Sequence, residues 1–322
     1  MARPDRSFLK RLASRSAGGT VDLRTAVGGV ELVAPVMTAS GTAGHGAELG
    51  AFQDLSALGA VVVKSLSAEP WAGNPAPRVH ETASGMINSV GLQNPGVEAW
   101  CRDELPELLD AGATVVASIW GRTIDEYRRA AQMLAGVNGV LALEVNVSCP
   151  NLEDRRKMFA HSCDSAAAVV DATRVAGLPL WAKLSPNVTD VTEIAAAVQE
   201  AGADAVTLAN TVMGMVIDTQ TRRPVLGGGG GGMSGPGIRP VNVRAVYETR
   251  IACPDLPIIG VGGVAKAEHA VEYLLAGASA VQVGTASFAD PAACTAVVDD
   301  LRRWCAQHGI TSTAELTNGA HR

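Results

Sequence analysis

The sequence has no paired cysteines, no long apolar run and no excess of basic charge, and each absence removes a class of protein. Its 6 cysteines, Cys101, Cys149, Cys163, Cys253, Cys294 and Cys305, are scattered, with no C-x-x-C pair and no metal-ligand spacing. No metal site is therefore expected, and the thiols are expected to be reduced. No apolar stretch approaches the roughly 18–20 residues that a membrane span requires. The basic N-terminus MARPDRSFLKRLASRSAGG lacks the apolar segment of a secretory signal. A net charge of −6 argues against a nucleic-acid surface or a basic membrane patch. The expectation is a cytoplasmic protein that binds neither nucleic acid nor membrane.

What is present is a chain of 322 residues, 47% hydrophobic, with 35 glycines. Eight short runs rich in Val, Ile, Leu and Ala begin near Leu32, Ala60, Thr114, Val140, Leu180, Ala205, Pro257 and Ala280. They are near-continuous rather than alternating, as parallel strands buried on both faces are. Helix-like segments lie between them, near 126–135, 166–175, 191–201 and 266–276. Ala-Gly-Ala at 111–113, 201–203 and 276–278 reads as a helix C-cap leading into a strand. Eight such units predict a (β/α)8 TIM barrel, with a doubly wound open sheet as the alternative. An N-terminal β-hairpin turning at Gly28-Gly29 is expected to cap the barrel's bottom. Two segments, 65–113 and 210–256, are too long for ordinary βα loops and are expected to lie over the catalytic face. The domain reading is a flexible lead-in at 1–19, a single barrel domain at 20–310 and a C-terminal tail at 311–322.

In a barrel, polar groups at the C-terminal ends of strands face the ligand. Here these ends carry Thr38 to Gly41, Lys64-Ser65, Asn146 to Asn151, Lys183 to Asn187, Asn210-Thr211, Gly262-Gly263 and Gly284-Thr285. The glycine pairs after the last two strands suit a phosphate, because their backbone N–H groups can approach its oxygens. Lys64 and Lys183 sit in apolar surroundings, where a ligand anion is the natural partner. The glycine run 227–232 fits G-x-G-x-x-G, but it follows no strand-to-helix turn. It is read as a flexible lid hinge and rejected as a dinucleotide fingerprint. The sharpest local signal is Asn146–Asn151, where the thiol of Cys149 stands between two carboxamides. Carboxamides donate and accept together, so they can read a ring of alternating N–H and C=O groups, and a thiolate can act as general base.

Nine segments together resemble the class 1B dihydroorotate dehydrogenases, the NAD-linked catalytic subunits. They are TASGTAG (38–44), VVVKSLS (61–67), MINSVGLQNPG (86–96), EVNVSCPN (144–151), KLSPNVTD (183–190), ANTVMGM (209–215), GGMSGPGIRP (231–240), GVGGV (260–264) and GASAVQVGTASF (277–288). The resemblance implies an FMN-containing barrel that oxidises (S)-dihydroorotate to orotate in pyrimidine biosynthesis. It implies FMN contacts from Ser40, Gly41, Lys64, Ser65, Asn146, Lys183, Ala209, Gly235, Gly262, Gly263, Gly284 and Thr285. The pyrimidine site would comprise Lys64, Asn88, Ser89, Val90, Gly91, Leu92, Asn146, Asn151, Asn210 and Thr211. Cys149 matches the catalytic base, and Lys183 would stabilise negative charge on the reduced flavin. The resemblance further implies a homodimer, or a heterotetramer whose partner subunit carries FAD and a [2Fe–2S] cluster and passes electrons to NAD.

This chain departs from that pattern in three places. Ser118 stands at the end of the third strand where the family usually places an FMN-contacting Asn. The stretch after Cys149 carries Arg155, Arg156 and Lys157, read as a solvated face, and the six-glycine run exceeds expectation. The alternatives are an FMN barrel using fumarate or another dihydropyrimidine, or a non-catalytic paralogue that binds a phosphorylated ligand.

Overall fold

The computed structural model describes residues 21–148 and 158–321. Eight parallel strands form one sheet: β1 (Val36–Thr38), β2 (Val61–Val62), β3 (Val115–Ile119), β4 (Val140–Asn146), β5 (Leu180–Lys183), β6 (Ala205–Leu208), β7 (Ile258–Val261) and β8 (Ala280–Val283). Their order runs from β2 sequentially through β8 to β1. The remaining seam, β1 to β2, closes through other bonds. Gly59 N–H donates to Val36 C=O (2.8 Å) and Thr38 N–H to Ala60 C=O (3.2 Å). The Thr38 hydroxyl adds two more, accepting from Val62 N–H (2.8 Å) and donating to Val62 C=O (3.2 Å). The sheet is thus a closed (β/α)8 barrel, as the eight apolar runs predict.

Side chains alternate between the two faces of a strand, which explains the continuous apolar runs. Val36, Val61, Val115, Leu143, Leu180, Val206, Ile258 and Val281 pack outward in the main core that holds the helices. The intervening Met37, Val62, Val116, Ala142, Trp181, Ala205, Ile259 and Ala280 fill the lower barrel. The hairpin Thr25–Val27/Val30–Leu32 plugs that lower end, contributing Val27, Val30 and Leu32 to the same cluster. Its turn uses Gly28 and Gly29 at φ 50° and 82°. A Cβ on Gly28 would stand 2.8 Å from the Trp181 indole nitrogen.

Two local devices set the connections. Thr123, Ser162 and Asp190 accept N–H groups from the first turns of the helices Ile124–Leu134, Cys163–Thr173 and Val191–Glu200. Each Ala-Gly-Ala makes a Schellman cap: Gly112, Gly202 and Gly277 have positive φ. The next N–H then reaches back five residues, from Ala113 to Leu108 (3.0 Å), Ala203 to Val198 (2.9 Å) and Ala278 to Tyr273 (2.9 Å).

The two long segments are not simple loops. Together they build a four-stranded antiparallel sheet, in the order Val212–Gly214, Gly231–Ser234, Gly85–Asn88 and Val79–Thr82, over the barrel mouth. They also carry helices at Val97–Asp103, Leu105–Asp110 and Arg239–Ala252. The expected glycine hinge is corrected by this sheet. A Cβ on Gly231 would collide with Asn88 C=O, one on Gly232 with the Thr211 hydroxyl, and one on Gly227 would sit 2.5 Å from Pro75 C=O. These glycines permit close backbone approach rather than free bending. Residues 311–321 pack back on the barrel, with Leu316 buried and the His321 ring stacked on Tyr247 at 4.1 Å.

Candidate active site

Above the apolar floor, the next inward position on each strand follows by a step of two. On β2 it is Lys64, on β3 Ser118, on β4 Glu144, on β5 Lys183, on β6 Thr207 and on β8 Gln282. These six are polar and all but the half-buried Lys64 are buried, whereas the matching positions on β1 and β7 are the apolar Ala39 and Val261. This layer underlies a cavity at the C-terminal ends of the strands, which its Lys64 and Lys183 line.

The cavity gathers most of the expected site residues. Ser40, Gly41, Lys64, Ser65, Asn146, Lys183, Ala209, Gly235, Gly262, Gly263, Gly284 and Thr285 line it, as do Asn88, Val90, Gly91, Leu92, Asn210 and Thr211. Ser118 and Ser89 do not. Ser118 lies one layer back, its hydroxyl 2.9 Å from that of Ser65. Ser89 faces Asn74, whose amide donates to its hydroxyl at 2.9 Å. Cys149, Asn151, Arg155, Arg156 and Lys157 fall outside the described residues, although Ser148, next to Cys149 in the chain, lines the cavity. Thr42, Val79, Met86, Ser234, Ile238 and Phe288 were not anticipated from the sequence. Several of these come from the mouth sheet, which leaves no strong pattern in the chain.

One hydrogen-bonded series crosses the wall. The Ser65 hydroxyl meets those of Ser40 (3.2 Å) and Ser118 (2.9 Å) and accepts from the Asn146 amide (3.3 Å). Asn146 Oδ1 in turn accepts from the Asn210 amide (3.2 Å), while Tyr127 donates to the Asn146 carbonyl (2.6 Å). Asn88 is held from the other side, donating to Gly232 C=O at 3.2 Å. The carboxamides are therefore oriented before any ligand arrives. Opposite them lies a glycine edge: Gly235, Gly262 and Gly263 have φ of 100°, 127° and 68°, open to glycine at little cost. There the Thr285 hydroxyl donates to Ser234 (2.7 Å).

Lys183 has a partner that the sequence reading did not single out. Its ammonium lies 3.2 Å from Glu144 Oε1, with both side chains buried. A ligand anion is thus not its sole counter-charge. None of the cysteines at 101, 163, 253, 294 and 305 lines the cavity, and burial pushes the Cys294 and Cys305 thiols up to about 11. They are packing groups.

Carboxamides, two lysines and a glycine edge converge at the mouth of a parallel barrel, and the chain belongs to the dihydroorotate dehydrogenase family, a family of oxidoreductases. The model of that family matches residues 22–304. Among similar proteins are subunits named "Dihydroorotate dehydrogenase B (NAD(+)), catalytic subunit" from three organisms. That of Desulforudis audaxviator (strain MP104C) is 51% identical over 303 residues, covering 94% of this chain and 98% of that protein. That of Geobacter sp. (strain M21) is 45% identical over 296 residues, covering 92% and 97%. That of Halalkalibacterium halodurans is 43% identical over 293 residues, covering 91% and 96%.

Proposed function

We propose that this chain oxidises (S)-dihydroorotate to orotate with FMN as its resident flavin, as the catalytic subunit of an NAD-linked enzyme in pyrimidine biosynthesis. The observation that carries the reading is the convergence of Lys64, Asn88, Asn146, Lys183 and Asn210 in one cavity closed on its far side by glycines. The donor set fits FMN. Backbone N–H groups at Gly262, Gly263, Gly284 and Thr285 suit its phosphate, and Lys64, Ser65, Asn146 and Lys183 suit the polar edge of its ring. Bound FMN supplies the acceptor for the hydride that leaves C6 of the substrate.

The protein's own groups do the remaining work. Asn88, Asn146, Asn151 and Asn210 hold the substrate's amides and carboxylate. Lys64 offsets the carboxylate's charge. Cys149 removes the proton from C5 as the C6 hydride departs, so the ring gains its double bond without an unstable carbanion. Lys183 offsets the negative charge that accompanies hydride acceptance.

The purified chain should be yellow and should bleach when dihydroorotate is added without oxygen. Loss of a general base costs about 100- to 10,000-fold, so Cys149→Ala should slow that bleaching by such a factor while keeping the bound flavin. Wild-type bleaching rates in Cys149→Ala would remove the thiol from the mechanism. A colourless wild-type chain would remove the flavin reading itself and favour a phospho-ligand-binding paralogue.

The electron path beyond this chain belongs to a partner. We place FAD and a [2Fe–2S] cluster in a second subunit that delivers electrons to NAD, with this chain as a homodimer or as half of a heterotetramer. The names of the relatives, each a catalytic subunit, support that reading. No helix among the described residues is long and apolar enough to cross a membrane. The cytoplasmic setting remains part of this proposal.

A further inference from the structure

The cavity rests on a feature that the reaction as described does not use, a buried carboxylate beneath it. Glu144 is 0% exposed and Lys183 4%. Every polar partner of the Glu144 carboxylate comes from a different strand: Lys183 on β5 to Oε1 at 3.2 Å, Gln282 on β8 to Oε2 at 2.7 Å, and Thr207 on β6 to Oε2 at 3.3 Å. Directly below, the same interior is filled by Ala142, Trp181, Ala205 and Ala280. Apolar packing was therefore available, yet three other strands commit polar groups to the one carboxylate on β4. A charge so placed and so anchored has two effects on Lys183. It fixes where the ammonium sits, and it cancels part of the positive field the ammonium sends into the cavity.

We propose that Glu144, held by Gln282 and Thr207, is a positioning residue that sets the strength of Lys183 toward the flavin and so keeps the flavin's reduction potential low. The inference rests on FMN occupying the cavity. An oxidised flavin accepts hydride and negative charge together, so positive field from Lys183 favours the reduced state. A fully compensated lysine favours it less. A low potential suits an enzyme whose electrons must continue to a pyridine nucleotide, since a flavin that held them tightly would stall the onward step. Gln282 and Thr207 share the carboxylate with Lys183, and this sharing limits the compensation.

The test uses the flavin-loaded chain and two readouts other than turnover: the midpoint potential of bound FMN, and the affinity for sulfite, which adds to oxidised flavin and leaves it anionic. Glu144→Gln keeps the side chain's length and removes its charge. It should tighten sulfite binding by about tenfold and raise the potential by about 30 mV, the two-electron equivalent of that factor. Glu144→Asp, which restores the charge, should return both values toward wild type. A residue that only fills space would leave both unchanged in Glu144→Gln, and that result overturns the proposal. If Glu144→Gln does not hold FMN, Gln282→Met decides. Without the 2.7 Å bond the carboxylate leans more on Lys183, with Thr207 at 3.3 Å as its remaining partner, so sulfite should bind more weakly, and unchanged affinity overturns the idea. A wild-type chain without flavin absorbance would instead fail the proposed function, so the two failures are distinguishable.

Discussion

His45 follows Gly44, whose carbonyl accepts the Lys64 N–H at 2.9 Å, so its imidazole titrates in the shadow of a cavity lysine. Burial first and the Lys64 charge second pull its pKa down to about 4, against a partial opposing pull from Glu48. The unfolded chain binds that proton near pH 6.5. Between those values the unfolded state takes up a proton that the folded state refuses, so stability falls with falling pH across this window and is untouched above it. His45→Asn should therefore lose less stability than wild type between pH 7 and pH 4.5, measured as urea midpoints. Equal losses would show that His45 is not responsible. Gly232 makes a different demand. Its missing side chain is what lets Thr211 and Asn88 approach, since the Gly232 carbonyl accepts from Asn88 and a Cβ would meet Thr211. Gly232→Ala should cost about 1–3 kcal/mol by overpacking and should raise KM for dihydroorotate more than it lowers kcat. A variant with unchanged KM would mean that Asn88 and Thr211 tolerate the shift.

The elements divide the barrel into a floor that supplies stability and a mouth that supplies chemistry, a separation expected of this architecture. Leu32 in the hairpin is 2% exposed and packs in the floor cluster with Met37, Val62 and Trp181. Leu32→Ala should cost about 2–5 kcal/mol of stability while leaving flavin content and turnover per bound flavin unchanged. Lowered turnover per flavin would show that floor and mouth are coupled. The same division explains what the sequence makes legible. All eight strands stand out, because burial on both faces produces apolar runs, and the four helices expected between them match to within three residues at every end. The mouth sheet was hidden, because its strands are short and Gly231 and Gly232 pair by close approach rather than by alternating side chains. The site was legible where polar residues end strands, as at Lys64, Asn146 and Asn210. Glu144 was not, because it lies inside the apolar run of β4. Yet it stands two residues before Asn146, and the period of two puts both on the inner face.

At the scale of the molecule, the chain's make-up limits where electrons can go. The chain carries no dinucleotide fingerprint by sequence, since 227–232 follows no strand-to-helix turn, and in the fold that stretch leads into the mouth strand Gly231–Ser234. Among the described residues no group of His, Cys, Asp or Glu is gathered to hold a metal. By the proposed reading the chain takes two electrons at its cavity, and neither its sequence motifs nor its described residues offer a second site at which to hand them to NAD+. Isolated and reduced by dihydroorotate without oxygen, it should therefore stay bleached when NAD+ is added, whereas a dye that reaches the cavity mouth should restore the yellow colour. Adding an electron-transfer subunit of the NAD-linked type should then restore reoxidation by NAD+. Rapid return of colour with NAD+ alone would show that this chain binds the nucleotide itself, and the partner assignment would fall. Rapid return with fumarate would instead move the chain to the fumarate-using form.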